Sequence, residues 1–281
     1  VLVKIYGERN TGTHYLMQLL LNHVDVLEKN GSLVTVATEQ PITKLRRPGE
    51  LGWKHRLASK EFLQKKGVNR DEVLIVALVK NPYSWLLSLH RRSYTPIHLR
   101  AEMRRKRADG TSKRQPFLDR CFIKLMACFG RRARIYLSQS SRWCIYEYLK
   151  FSDFIRAKWF AEFHEGKDEG FVNAIELWNE KNKAYVELAK HYNVLLLTYE
   201  ELLASPEATL RKITDRLGCQ FQEFKNIYAA AKTEDKGKSH DYYCDYYLNE
   251  RWKKKLSLED IRWISSQLDP KVMEVFEYKL L

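Results

Sequence analysis

Residues Val1 to Leu20, VLVKIYGERNTGTHYLMQLL, carry the two signals from which the architecture follows. Val1 to Tyr6 is β-branched and apolar, which predicts a buried strand, and from Thr13 the apolar residues Tyr15, Leu16, Leu19 and Leu20 recur at helical spacing. Between strand and helix lie Gly7, Glu8, Arg9, Asn10, Thr11, Gly12 and Thr13. A Gly-bounded turn there aims successive backbone N–H groups into one concavity, with the positive end of the helix dipole behind it, so an anionic phosphate is its natural guest. The candidate contacts are Arg9, Asn10, Thr11, Gly12 and Thr13, with His14 at the mouth. The bland alternative is an ordinary strand-to-helix turn.

Gly7 and Gly12 have the spacing of a nucleoside triphosphatase P-loop, but Thr13 and His14 stand where that motif needs Lys and then Ser or Thr. The lysine for the β- and γ-phosphates and the magnesium-binding hydroxyl are both absent from the motif.

A second strand–loop–helix unit follows. Val73 to Val79 is an unbroken run of seven apolar residues, as fits a strand buried on both faces of a parallel sheet. Lys80 and Asn81 close it, and Pro82 opens a helix through Arg92 from its favoured first position. Leu33 to Thr38 predicts a short strand and Ser59 to Lys66 a short helix, with Trp53, Lys54, His55 and Arg56 between them. Helices are expected over Phe151 to Phe163 and Phe171 to His191, and a strand over Val194 to Leu197. Ser205, Pro206 and Gly218 mark the start and stop of another helix, and Ser257 with Asp260 the start of a last one. Strands alternating with helices predict an α/β domain spanning 1–281, a three-layer, P-loop-like architecture with a central parallel sheet flanked by helices and ligands at the carboxyl ends of its strands.

The chain has 281 residues, 44% of them hydrophobic, enough for one large core. No apolar run approaches the length that spans a bilayer. No signal peptide precedes the first strand, and since the sequence opens on that strand there is room for an upstream targeting or anchor segment. Five cysteines (Cys121, Cys128, Cys144, Cys219, Cys244) form no C-x-x-C pair, so reduced thiols are expected rather than a disulfide framework or a zinc site, which points to the cytoplasm. The net charge of +14 is concentrated: Arg91 to Arg142 holds fifteen Lys and Arg against three acids, a local balance of +12. That basic stretch, about residues 95–141, has no clean period apart from an apolar segment at Phe117 to Phe129, and reads as an insertion that is either a lid or a disordered loop.

Together the two units resemble the sulfotransferase family, enzymes that move a sulfuryl group from 3′-phosphoadenosine 5′-phosphosulfate (PAPS) to an acceptor. GERNTGTHYL is similar to that family's 5′-phosphosulfate loop. VALVKNPYSWLLSLHRR resembles its 3′-phosphate strand and helix, with Lys80 and Ser88 at the family's eight-residue separation, and VLLLTYEELLASPEATLRKITDRLG resembles its later strand, Tyr-Glu turn and helix. The resemblance implies a PAPS-dependent enzyme with product 3′-phosphoadenosine 5′-phosphate (PAP), no metal, and Tyr199 packed on the nucleotide. It also implies that Lys236, Gly237 and Lys238 correspond to the family's Arg-Lys-Gly turn. The departures are Asn10 where the loop usually has Lys or Arg, Lys80 in place of Arg, and adjacent Lys54 and His55 in place of Lys-x-His.

Sulfuryl transfer needs a base for the acceptor and positive charge on the sulfonate and leaving phosphate. His55 is the candidate base, since an imidazole titrates near about pH 6.5. His14 is the second choice, and Glu39 the carboxylate alternative. Lys54 is the candidate for the bridging oxygen. Each has a plain alternative: a strand-end histidine, a lysine lying over an apolar face, a core tyrosine, a solvated strand end. The acceptor is a hydroxyl or amine, and the basic insertion suits a small anionic one; the sequence does not name it. Competing functions are a P-loop kinase or hydrolase, which the missing Lys-Ser/Thr pair opposes, and a basic nucleic-acid binder, which rests on charge alone.

Overall fold

The computed structural model describes residues 1–30, 33–36, 51–52, 54–91, 149–159, 170–227 and 237–281. The basic stretch 95–141 with its apolar segment, Glu39, Trp53, Lys236 and Cys121, Cys128 and Cys144 lie outside the described residues. Cys219 and Cys244 are free thiols.

Five strands form one sheet in the order β2-β3-β1-β4-β5. Strands β1 (Leu2–Gly7), β4 (Val73–Val79) and β5 (Val194–Thr198) run parallel, with Leu2 opposite Val73, Gly7 opposite Leu78, and Val79 opposite Thr198. β4 is buried along its whole length, which explains its uninterrupted apolar sequence. The expected all-parallel sheet is corrected at one edge: β2 (Val26–Asn30) and β3 (Leu33–Val36) form an antiparallel pair, and β3 is antiparallel to β1. β2 was not expected from the sequence, because Glu28, Lys29 and Asn30 do not make an apolar run. As an edge strand it needs none.

Period-two alternation divides the sheet residues between two cores. Val3, Ile5, Leu74, Val76 and Leu78 face helix α1 (Thr13–His23), which contributes Leu16, Leu19 and Leu20. Leu2, Tyr6, Ile75, Ala77 and Val79 face the other way, into a core with Phe62 of α2 (Lys60–Lys65) and with Trp85 and Leu89 of α3 (Pro82–Arg91). The chain therefore leaves adjacent parallel strands β1 and β4 towards opposite faces of the sheet. That divergence makes their carboxyl ends a topological switch point, the place where α/β sheets receive ligands.

Two helix expectations are corrected beyond α3. Helix α4 covers only Phe151–Phe154, because the chain then turns and Trp159 forms an antiparallel bridge with Phe171, each donating its N–H to the other's carbonyl. Phe171 thus opens a bridge and not a helix. Helix α5 (Ala174–Ala189) starts after Asn173, whose side chain accepts from the N–H groups of Ile175 and Glu176 at 2.9 Å.

Beyond β5, Thr198 and Glu201 form a capping box at the start of α6 (Tyr199–Ala204). Helix α7 (Pro206–Leu217) begins on Pro206 after Ser205 and ends on Gly218 at φ 62°, as the sequence predicted. Helix α8 (His240–Leu248), a 3-10 turn (Arg251–Lys255), α9 (Leu258–Gln267) and α10 (Pro270–Val275) complete the fold. Among the described residues no helix is long and apolar enough to cross a membrane.

Candidate functional site

The loop after β1 is built around two tight approaches. A Cβ on Gly7 would lie 2.6 Å from Thr13 Cγ2 and 2.8 Å from the Leu78 carbonyl, so a larger residue would push the loop off β4. Gly12 stands at φ 88°, and a Cβ there would lie 2.4 Å from Tyr199 Cδ2. Asn10 is also left-handed, at φ 65°, a conformation that asparagine adopts more readily than lysine or arginine. That accounts physically for asparagine at this position.

Glu8 organises the interior of the turn. Its carbonyl accepts from Thr11 Oγ1 at 2.7 Å and Thr11 N–H at 3.3 Å, while its carboxylate accepts the Arg9 N–H at 2.7 Å. Trp85 Nε1 donates to the Arg9 carbonyl at 2.8 Å and ties the loop to α3. Gly12 caps α1 with no side-chain hydrogen bond, and the first intrahelical bond runs from Leu16 N–H to Gly12 C=O at 3.1 Å. The N–H groups of Thr13, His14 and Tyr15 therefore precede the helical ladder, at the positive end of the dipole. Thr11 and Thr13 are buried, and His14 is exposed on the first turn.

The loop after β4 places a cation beside this turn. Lys80 is 2% exposed, and its Nζ lies 3.2 Å from Ser88 Oγ and 3.5 Å from the Asn10 carbonyl. Its Nζ also lies over the faces of Tyr247 at 3.7 Å and Tyr199 at 4.7 Å from the ring centroids. Among the described residues no carboxylate comes within ion-pair distance of Lys80. Glu200 accepts from the Asn81 N–H at 3.3 Å and the Tyr278 hydroxyl at 2.7 Å, and burial raises its pKa against the pull of Tyr278 and of the Lys80 charge. Ser88 also donates to the Ser84 carbonyl at 2.9 Å and meets the Tyr247 hydroxyl at 3.1 Å. Burial pushes the Tyr247 phenol up, but the Lys80 ammonium and the Ser88 hydrogen bond outweigh it and leave the pKa lowered. Trp178 Nε1, donating to the Lys80 carbonyl at 3.0 Å, and Asn81, capping α3 through Tyr83 N–H at 3.1 Å, hold the backbone here.

His55 comes to the base of the first loop. Its Nδ1 lies 2.6 Å from the Gly7 carbonyl, which can only accept, so Nδ1 carries the proton and Nε2 the lone pair. Burial lowers the imidazole pKa to about 3, against the opposing pull of the Glu8 carboxylate. The neutral ring is thus the form present in ordinary buffers. Lys54 lies next to it, its carbonyl accepting from Gly7 N–H at 3.0 Å, and burial and Arg9 lower its ammonium.

The sequence did not single out the side chain that joins these parts. Lys181 of α5 is 1% exposed, and its Nζ donates to Glu8 Oε2 at 2.7 Å and to the His55 carbonyl at 2.5 Å. Burial raises the Glu8 carboxyl, but Lys181, His55 and the Arg9 N–H together outweigh that and leave it below its usual value, while burial lowers the Lys181 ammonium in turn. The signal was available: Trp178, Lys181, Tyr185 and Leu188 occupy one stripe of the helix, and a lysine within an apolar stripe requires a buried partner. Tyr185 is buried one turn beyond Lys181, and its hydroxyl has no hydrogen-bond partner among the described residues.

The remaining sequence candidates are more scattered. Tyr199 is 8% exposed and lies against Gly12, Lys80 and Tyr247, as part of the wall beneath the loop. Gly237, at φ 86°, and Lys238 precede α8, where Lys238 Nζ sits over Tyr242 at 4.9 Å. Lys80 meets that helix near its far end, at Tyr247.

Comparison with family models and with curated proteins gives no match for this chain.

Proposed function

We propose that this chain is a PAPS-dependent sulfotransferase with a P-loop-like fold, carried by one domain in which the basic stretch at about 95–141 is an insertion. The observation behind this reading is the buried Lys80 ammonium. It stands beside the β1 loop with Ser88 at hydrogen-bond distance and no carboxylate in ion-pair range among the described residues. A buried cation in such surroundings favours an anionic ligand. Two donor sets at neighbouring strand ends, the helix N-terminus after Gly12 and the Lys80–Ser88 pair, suit a molecule with two separate phosphate groups.

The residues fit PAPS in the orientation the resemblance implies. The N–H groups of Thr13 to Tyr15, with Arg9 and Lys54, would hold the 5′-phosphosulfate beside Thr11 and Gly12, and Lys80 and Ser88 the 3′-phosphate, exchanging the Asn10 carbonyl for a stronger charge-assisted partner. When bound, the nucleotide supplies the sulfuryl group. The protein's part is positional and electrostatic. The Gly7 carbonyl fixes the tautomer of His55, so that Nε2 is the atom that takes the acceptor's proton, and a polyanion at the adjoining loop favours the imidazolium and raises its pKa from the low value of the empty protein. Lys54 supplies positive charge where the leaving oxygen develops. An acceptor hydroxyl or amine is the substrate, and the basic stretch suits an anionic one. The proposed location is the cytoplasm.

The test is a calorimetric titration with PAP in EDTA. Binding in the micromolar range or tighter is expected. No binding, or binding only with magnesium, overturns the proposal.

A further inference from the structure

We propose that Glu8 and Lys181 are a positioning pair for His55, a buried ion pair that fastens the β1 loop and the His55 segment to α5. The inference rests on reading His55 as the base of the proposed transferase, and it goes beyond the nucleotide contacts. Lys181 Nζ bridges Glu8 Oε2 at 2.7 Å and the His55 carbonyl at 2.5 Å, so one ammonium touches both the loop and the backbone that carries the imidazole. The other Glu8 oxygen takes the Arg9 N–H, and the Glu8 carbonyl takes Thr11 Oγ1, so Glu8 is tied into the turn by both side chain and backbone. His55 Nδ1 then closes the circuit on the Gly7 carbonyl, one residue before Glu8. Each link joins a different element: loop, α5, His55 segment and the end of β1.

A burial of this kind is not explained by stability. A buried salt bridge contributes little net stability compared with apolar residues of the same size, because removing two charges from water offsets their attraction. The pair is suited instead to fixing geometry, because three donors and acceptors on separate elements must be satisfied at once. It also acts on the ring. The charged groups facing His55 are Glu8, Lys181 and Lys54: Glu8 favours the imidazolium, and the two lysines oppose it. The pair members therefore pull His55 in opposite directions.

That opposition separates a positioning role from a merely structural one. His55 ring resonances, assigned with His55→Gln, are followed by NMR against pH in wild type, Glu8→Gln, Lys181→Met and the double variant. The Lys181→Met midpoint should rise above the wild-type value and the Glu8→Gln midpoint should fall below it. In the double variant, which is neutral and retains similar volume, the midpoint should return close to wild type while turnover stays at least tenfold low. Midpoints that do not move, or that move together, overturn the proposal, as does wild-type turnover in the double variant. If the single variants do not fold, the double variant alone decides through its turnover. The reading of function fails separately: wild type that binds no PAP removes the transferase, whereas the opposed His55 shifts are measured without any nucleotide.

Discussion

Replacing Lys80 with methionine should leave the protein as stable or more stable while weakening its grip on PAP. Lys80 is 2% exposed, and its described partners are two long hydrogen bonds, of 3.2 Å to Ser88 and 3.5 Å to Asn10, and two tyrosine faces. The substitution loses those contacts, about 1 kcal/mol for each ring face and little for such long hydrogen bonds. It removes the cost of a buried ammonium, several kcal/mol after relaxation, and methionine keeps the volume and can pack on both rings. Ser88 is not orphaned, since it retains the Ser84 carbonyl and the Tyr247 hydroxyl. The expected net change lies between zero and a gain of about 2 kcal/mol, read by urea denaturation without ligand. Binding should move the other way. Loss of one charge-assisted bond to the 3′-phosphate, about 1.5–3 kcal/mol, weakens PAP by about 10- to 100-fold and leaves 5′-AMP, which lacks that phosphate, nearly unchanged. A destabilisation above about 2 kcal/mol would make Lys80 a structural tether. Equal losses for PAP and AMP would remove it from the 3′-phosphate.

Gly12→Ala should destabilise the protein by about 2–5 kcal/mol, combining the left-handed backbone with the Cβ set 2.4 Å from the buried Tyr199 ring; a loss below about 1 kcal/mol in urea denaturation contradicts that packing. Burial, with Lys54 and Arg56 nearby, lowers Lys4 from 10.5 to about 7, so the unfolded chain binds more protons across that window and the folded protein gains stability as pH rises through it. Lys4→Met should accordingly stabilise most near about pH 6 and least near about pH 10, and a gain independent of pH would refute the buried-charge account. His55→Ala should lower turnover by about 10²–10⁴ with PAP affinity nearly intact, and survival of turnover would move the base elsewhere, with exposed His14 tested next.

What the sequence revealed follows where chemistry is local. The apolar run Val73 to Val79, the Pro82 helix start and the Ser205-Pro206 to Gly218 frame depend on neighbours a few residues away, and each is found as read. The separation of eight residues between Lys80 and Ser88 becomes a 3.2 Å contact because the second turn of the following helix lies beside the strand end. What was missed depends on long-range contacts. The aromatic spacing of Phe151, Phe154 and Trp159 imitates a helical stripe, yet the bridge to Phe171 turns the chain away after Phe154. The edge strand Val26–Asn30 gave no apolar signal, because an edge strand needs none. Glu8 lay within the quoted loop but only Lys181, 173 residues away, gives it a role. Tyr247, which closes over Lys80 and Ser88, stands in a tyrosine-rich helix with nothing to single it out.

The most direct measurement is a crystal structure of the protein grown with PAP in EDTA. The account predicts the 5′-phosphate against the backbone N–H groups at Thr13 to Tyr15 and the 3′-phosphate within hydrogen-bond distance of both Lys80 Nζ and Ser88 Oγ, with Nζ withdrawn from the Asn10 carbonyl. A nucleotide seated away from the β1 loop, or bound there with its 3′-phosphate turned from Lys80, would contradict it.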